Sequence, residues 1–255
     1  MPRDLRNMRL PKQPKPEHQI VQAFIPDWPG EGHHTQELLE KLEPLCSVTV
    51  MDNPDHWFVD QWNLMMSKFT GDIMLWVMAD ASLKRIDVHH MYAEMLRFFF
   101  RGDVGVYAPN LCWTIHGYKL GELTECEPQV YEVPITDLVC LAVRADILKA
   151  MGTAFHPETK LGWGVDAMLS AICRINKKKV LRDYRFFVEH PMHTGYNVDK
   201  AQQEYEGIMG TDSSYRDAMR DIVEEAVSKR LLITPEETQT HEKHQLRLPE
   251  NQPKR

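Results

Sequence analysis

Apolar runs and helically spaced apolar residues alternate along the first half of the chain. QIVQAFIPDW, from Gln19, is apolar and β-branched and predicts a strand stopped at Pro26. In EGHHTQELLEKLEPL, Leu38, Leu39 and Leu42 share one face, which predicts a helix with Thr35 as its N-cap. CSVTVMD predicts a second strand. DHWFVDQWNLMMSKFTG places Phe58, Trp62, Met65, Met66 and Phe69 at helical spacing and closes at Gly71. In GDIMLWVMADAS the residues from Ile73 to Ala79 are apolar without a break, and Asp80 and Ser82 follow. RIDVHHMYAEMLRFFFRGD predicts an amphipathic helix and VGVYAPN another strand. Unbroken apolar strands alternating with helices imply an α/β fold with a mainly parallel sheet, flanked by helices on both faces.

The second half is more mixed. CWTIHGYKLGELTECEPQVYEV carries alternation and turn residues, which suit a hairpin or an acceptor-side loop region. TDLVCLAVRADILKAMG predicts a strand running into a short helix, and GWGVDAMLSAICRINKKKV a glycine-rich turn opening a helix. LRDYRFFVEHP predicts a strand ending at Pro191, and residues 199–232 read as helical. With no internal repeat and no linker, the expectation is a single domain over 19–232. A basic tail at 1–18 and a second tail at 233–255 are expected to be flexible.

Composition narrows the class. The 255 residues are 43% hydrophobic and 26% charged, as in ordinary globular proteins. No apolar run approaches bilayer-spanning length, and the N-terminal stretch lacks the apolar centre of a signal peptide. The expectation is a cytoplasmic protein, in host cytoplasm if viral, with no membrane partner. The five cysteines are widely spaced, with no CxxC pair, and read as reduced buried thiols. Net charge is −7, which argues against a generic nucleic-acid binder. Residues 1–17 carry +3 and residues 241–255 carry +2, leaving about −12 on the middle. Basic ends on an acidic body can touch a polyanion or simply be solvated.

Several side chains are candidates for chemistry. Ligands of open α/β sheets bind beyond the carboxyl ends of the strands, so Asp80 would stand over a cleft. A carboxylate there suits a hard divalent cation, and the cation suits a diphosphate. Asp80 could equally cap the next segment. In LGWGVDAM, Gly162 and Gly164 permit a tight turn and close approach of backbone to ligand. Trp163 offers a platform for a sugar ring. Asp166 falls at a helix start, where the dipole favours its ionised form, as it would for a purely structural acid. His190 and His193 follow the last strand and suit a transition divalent cation such as Mn²⁺. Arg182, Asp183 and Tyr184 either buttress the fold or meet phosphate. Asp52 and Asp55 suit a turn, or, by the resemblance described next, one of them suits a nucleobase edge. His33-His34 and His89-His90 read as surface residues, and LMMSKF as core.

The run from Asn63 through Gly71-Asp72 and the apolar strand to Asp80-Ala81-Ser82 resembles the nucleotide-sugar half of the GT-A glycosyltransferases, especially those like family 2. Their pattern is a helical asparagine, a GD or GE turn, a hydrophobic strand and a DxD motif. Here Ser82 takes the third position, where a serine can bond ribose or act through water. GWGVD resembles the W-G-x-[DE] motif of inverting members, whose acid is the general base. The resemblance spans Ile20 to Tyr196. It implies a nucleotide-diphospho-sugar transferase (GT-A) fold and a divalent cation (Mn²⁺ or Mg²⁺) held by Asp80 with His190 or His193. It implies a donor such as a UDP-sugar, contacted by Asp52, Asn63, Asp80, Ser82, Trp163 and Gly164, and Asp166 as catalytic base.

VGVYAPN, TD, GWGVD and RDY…VEHP…TGY are similar to the glycosyltransferases found beside thymine or 5-methylcytosine dioxygenases, including base J glucosyltransferase and bacteriophage relatives. That likeness implies an acceptor hydroxymethyl group on 5-hydroxymethylcytosine or 5-hydroxymethyluracil in DNA. A glycan, protein or small-molecule acceptor remains open. So does another class, a non-catalytic nucleotide-sugar binder or a nucleotidyltransferase. The latter is disfavoured because IPDWPGEGHH lacks a GxGxR-like loop.

Overall fold

The computed structural model describes residues 20–27, 33–52, 57–112, 114, 116–152, 160–191, 198–211 and 213–230. Both expected tails, Asp55 and His193 lie outside them. The strands are β1 (Val21–Asp27), β2 (Ser47–Asp52), β3 (Ile73–Val77), β4 (Val104–Leu111), β5 (Thr124–Glu127), β6 (Val130–Glu132), β7 (Cys140–Arg144) and β8 (Lys179–Val188). The helices are α1 (Thr35–Leu42), α2 (Phe58–Lys68), α3 (Val88–Phe100), α4 (Ala145–Met151), α5 (Val165–Ile175), α6 (Val198–Thr211) and α7 (Ser213–Lys229).

The strands form one sheet in the order β2-β1-β3-β7-β4-β8-β6-β5. Pairing makes β1, β2, β3, β4, β5 and β8 run one way, with β7 and β6 opposed. The sheet is therefore mainly parallel, with the antiparallel β7 inserted between β3 and β4. β3 is buried along its whole length because both its faces are covered. Met74 and Trp76 join the core under α2, α4, α5 and α7, while Ile73, Leu75 and Val77 join the core under α1 and α3. Trp62 and Trp76 are fully buried with ring centroids 5.2 Å apart. Each such side chain contributes about 1.5–3 kcal/mol by burial. Met65, in the methionine-rich stretch of α2, is core as expected.

Three local expectations change. β1 continues through Pro26, which pairs with Met51 of β2. Its carbonyl accepts from Ala79 N–H, just beyond the end of β3. The N-cap of α1 is His34, and Thr35 instead donates its hydroxyl to Asp27 at 2.8 Å. His33 is not a surface residue: its imidazole is 14% exposed and lies 2.8 Å from Asp27. The described cysteines are all free. Burial pushes the Cys140 and Cys173 thiols up to about 12 and Cys46 up to about 11.

A chain of ion pairs ties α3 to the far end of the sheet. Arg97 bonds Glu94 and Glu127, and Arg101 also bonds Glu127. Arg185 bonds Glu94 at 2.7 Å and the fully buried Asp183 at 2.6 Å, and Asp183 accepts the Tyr107 hydroxyl. Hydrogen bonding by Arg97, and then by Arg185, lowers the Glu94 carboxyl to about 2. A depressed carboxyl stabilises the fold above its unfolded value, and that contribution disappears as pH falls toward 2. Urea unfolding from pH 5 to pH 2.5 should show a stability loss that is smaller in Glu94→Gln, whose stability should already be lower at pH 7.

Candidate functional site

The shared carboxyl edge of the parallel strands gathers the polar residues. Asp27 and Asp52 are register partners that end β1 and β2. Asp80 follows β3, Thr114 and His116 follow β4, and His190 follows β8. Asp137 joins them because β7 runs the other way, so its approach lies at this edge.

Asp80 and His190 are brought together. The imidazole Nε2 lies 3.3 Å from an Asp80 carboxylate oxygen, with side-chain exposures of 14% and 20%. Ser82 explains the approach. Its N–H donates to the Glu189 carbonyl at 2.9 Å and its carbonyl accepts from Glu189 N–H, bridging the exits of β3 and β8. Its hydroxyl donates to Glu37 of α1 at 2.9 Å. The departure from DxD thus fills a buried joint. Asp80 Oδ1 and His190 Nδ1 are buried without a hydrogen-bond partner, an arrangement that costs free energy unless something else meets these two atoms. A carboxylate oxygen and an imidazole are a donor set that suits Mn²⁺. Among the described residues no group of three or more His, Cys, Asp or Glu is arranged to hold a metal. His193 lies outside the described residues.

Asp166 lies in the first turn of α5, which follows Gly164 as the left-handed N-cap. One oxygen accepts from Ala167 N–H at 2.8 Å, and the other lies 3.1 Å from His116 Nε2. The loop before α5 is held from two sides. Glu204 of α6 accepts the N–H groups of Lys160 and Leu161 at 2.9 and 2.7 Å, and Phe58 of α2 packs beneath Gly162. Gly162, with φ +80°, therefore serves packing more than ligand approach. A Cβ there would lie 2.2 Å from the Phe58 ring, which Trp62 and Trp76 hold in place. Trp163 is half-buried on this loop.

Arg182 is structural rather than a phosphate ligand in this arrangement. It is 1% exposed, donates to the His116 carbonyl at 2.7 Å and to Asp137 at 2.9 Å, and reaches the Thr136 hydroxyl. Burial is the largest influence and opposes its charge, but Asp137, Tyr184 and Tyr118 together raise the guanidinium above its ordinary value. Asp183 serves the ion-pair chain, and burial raises the neighbouring Tyr184 phenol. Asn63 has a buried carboxamide oxygen without a partner, and Asp52 is exposed at its strand end. Gln61, beside Asn63, ties β1 to β2 by donating to the carbonyls of Asp27 and Met51.

Sequence reasoning passed over His116, Thr114, Asp137, Glu37 and Glu204. His116 was open to the strand-end rule that singled out Asp80, whereas Asp137 precedes β7 and reaches this edge only because that strand is reversed. Glu37 and Glu204 sit within helices and carry no local signal.

The sequence matches no known family profile and none of the curated proteins. Solved structures are similar. Residues 1–349 of Staphylococcus aureus TarS in complex with UDP-GlcNAc give a TM-score of 0.53 at 12% identity, covering 87% of this chain and 78% of that one. Another TarS structure gives 0.51 at 12% identity, covering 85% of this chain and 46% of that one. The chain has the GT-A glycosyltransferase fold. A mannosyltransferase from Pyrobaculum calidifontis in complex with GDP-Man and Mn²⁺ gives a TM-score of 0.49 at 11% identity, covering 91% of this chain and 81% of that one. Among the described residues no helix is long and apolar enough to cross a membrane.

Gly162→Ala should destabilise the fold by about 2–4 kcal/mol through combined overpacking and positive-φ strain. Chemical denaturation measures this, and a loss under about 0.5 kcal/mol would place the loop elsewhere.

Proposed function

We propose that the protein is a metal-dependent, inverting glycosyltransferase that moves a sugar from a nucleotide-sugar to an acceptor hydroxyl. The observation that carries this reading is the Asp80–His190 pair: two strand ends deliver a carboxylate and an imidazole to the edge where α/β sheets bind ligands, each with a buried unpaired atom. The GT-A fold, and UDP-GlcNAc in one similar structure, support a UDP-sugar as donor.

Asp80 and His190 would hold Mn²⁺ or Mg²⁺, with His193 as the alternative histidine. Bound there, the cation supplies positive charge against the leaving diphosphate. Asp52 and Asn63 would bond the nucleoside, and Trp163 and Gly164 would pack against the sugar. Ser82 contributes by holding the turn that aims Asp80. Asp166 takes the acceptor proton as the acceptor oxygen bonds the anomeric carbon. The bond from that carbon to the diphosphate oxygen breaks on the opposite face. Its electron pair leaves with the nucleoside diphosphate, and the anomeric configuration inverts.

The acceptor we propose is the hydroxymethyl group of 5-hydroxymethylcytosine or 5-hydroxymethyluracil in DNA. The motifs shared with the dioxygenase-associated enzymes support it, and the basic segments at both ends of the sequence supply charge for phosphate contact. Reaching the base inside a duplex calls for flipping it out.

Hydroxymethylated DNA incubated with Mn²⁺ and a panel of UDP- and GDP-sugars, then digested to nucleosides, should yield a hexosylated nucleoside by mass spectrometry. Asp166→Asn should lower the rate at least about 10²-fold with donor binding retained. Asp80→Asn and His190→Ala should each remove the thermal shift produced by Mn²⁺ with UDP. Unmodified DNA products alongside donor consumption on another acceptor would overturn the DNA assignment alone. Full transfer by metal-stripped protein in chelator would overturn the metal role.

A further inference from the structure

We infer that His116 is the positioning residue for Asp166, fixing the direction of the carboxylate that receives the acceptor proton. The inference rests on the glycosyltransferase reading and names a residue which that reading does not contain. A carboxylate on the first turn of a helix can rotate about its side-chain bonds. Ala167 N–H holds one oxygen from within α5 at 2.8 Å. His116 holds the other from across the site at 3.1 Å. An ionised carboxylate has no hydrogen to give, so Nε2 is the donor. Each carboxylate oxygen keeps a further lone pair, and the bonds orient Asp166 without consuming its capacity to accept a proton.

The histidine is itself held to an extent that a surface residue would not need. Its N–H donates to the Thr114 hydroxyl at 2.9 Å, and Thr114 in turn bonds Asp137. Its carbonyl accepts from Arg182 at 2.7 Å. Arg182 is buried and anchored on Asp137 and Thr136. The backbone of residue 116 is therefore pinned on both sides by groups whose positions come from β8 and from the approach to β7. The imidazole is 17% exposed and the Asp166 side chain 20%, so the pair sits at the boundary between protein and cleft. Displacing a reacting group by about 1 Å can cost about 10²-fold in rate. The carboxylate is the group so protected.

The test pairs kinetics with a readout that needs no turnover. With the sugar donor that the transfer assay identifies, His116→Ala should lower kcat about 10²-fold while donor KM stays within about twofold. His116→Gln, whose amide N–H can stand where Nε2–H stands, should recover most of that loss. Alanine within about threefold of wild type, or glutamine as impaired as alanine, would overturn the inference. In ¹⁵N-histidine spectra of the full chain, the His116 Nε2–H should appear as a protected, hydrogen-bonded resonance and vanish in Asp166→Ala. Its absence from the wild-type protein overturns the inference whatever the kinetics show. A protected resonance in a protein that transfers sugar from no donor would instead sink the glycosyltransferase reading.

Discussion

A single guanidinium enclosed by the fold sets the geometry at the carboxyl edge. Arg182 leaves water almost completely, and a buried cation is tolerated only when its protons are met. Its two terminal nitrogens meet the His116 carbonyl, the Thr136 hydroxyl and the Asp137 carboxylate, while Nε is buried without a hydrogen-bond partner. These three groups belong to the chain leaving β4 and to the chain entering β7. Arg182 thus ties two segments that run past the edge in opposite senses, and the tie exists because β7 is inserted antiparallel between β3 and β4. Removing one partner of such a cluster leaves the rest uncompensated, and the typical cost is about 3–5 kcal/mol.

From that tie the geometry spreads in two directions. Toward α5 it fixes residue 116 and, through the imidazole, Asp166. Toward β3 the comparable joint is the backbone bridge between Ser82 and Glu189, reinforced by Glu37. That bridge sets the turn carrying Asp80 beside the strand end carrying His190. Each candidate chemical group is therefore held by a neighbour that does no chemistry, as catalytic geometry requires.

Much of this was legible in the sequence. The unbroken apolar run from Ile73 to Ala79 read as a strand covered on both faces, which β3 is over Ile73–Val77, and the carboxylate after it read as a cleft group or a cap. Asp166 was legible because glycines, tryptophan and acid lie within five residues, and His190 because a strand ends at Pro191. The missing part is long-range. His116 and Asp166 are fifty residues apart and meet only once β4 and α5 are packed. The direction of β7 was illegible because an apolar strand reads the same both ways. Ser82 looked like a cleft residue because its partner Glu37 lies on a helix whose inward face was read from leucines alone. Gly162 was read as permitting a tight turn and close backbone approach to a ligand; its φ of +80° fits the turn, and the atoms pressing on it belong to Phe58.

The central claim is that strand ends at Asp80 and His190 present a metal and diphosphate site. Crystals grown with Mn²⁺ and UDP, measured at the manganese absorption edge, test it most directly. The account predicts one strong anomalous peak at bonding distance from the Asp80 carboxylate and the His190 imidazole, with diphosphate oxygens completing the coordination. Manganese bound elsewhere, or UDP bound with no anomalous peak between these two residues, would contradict it.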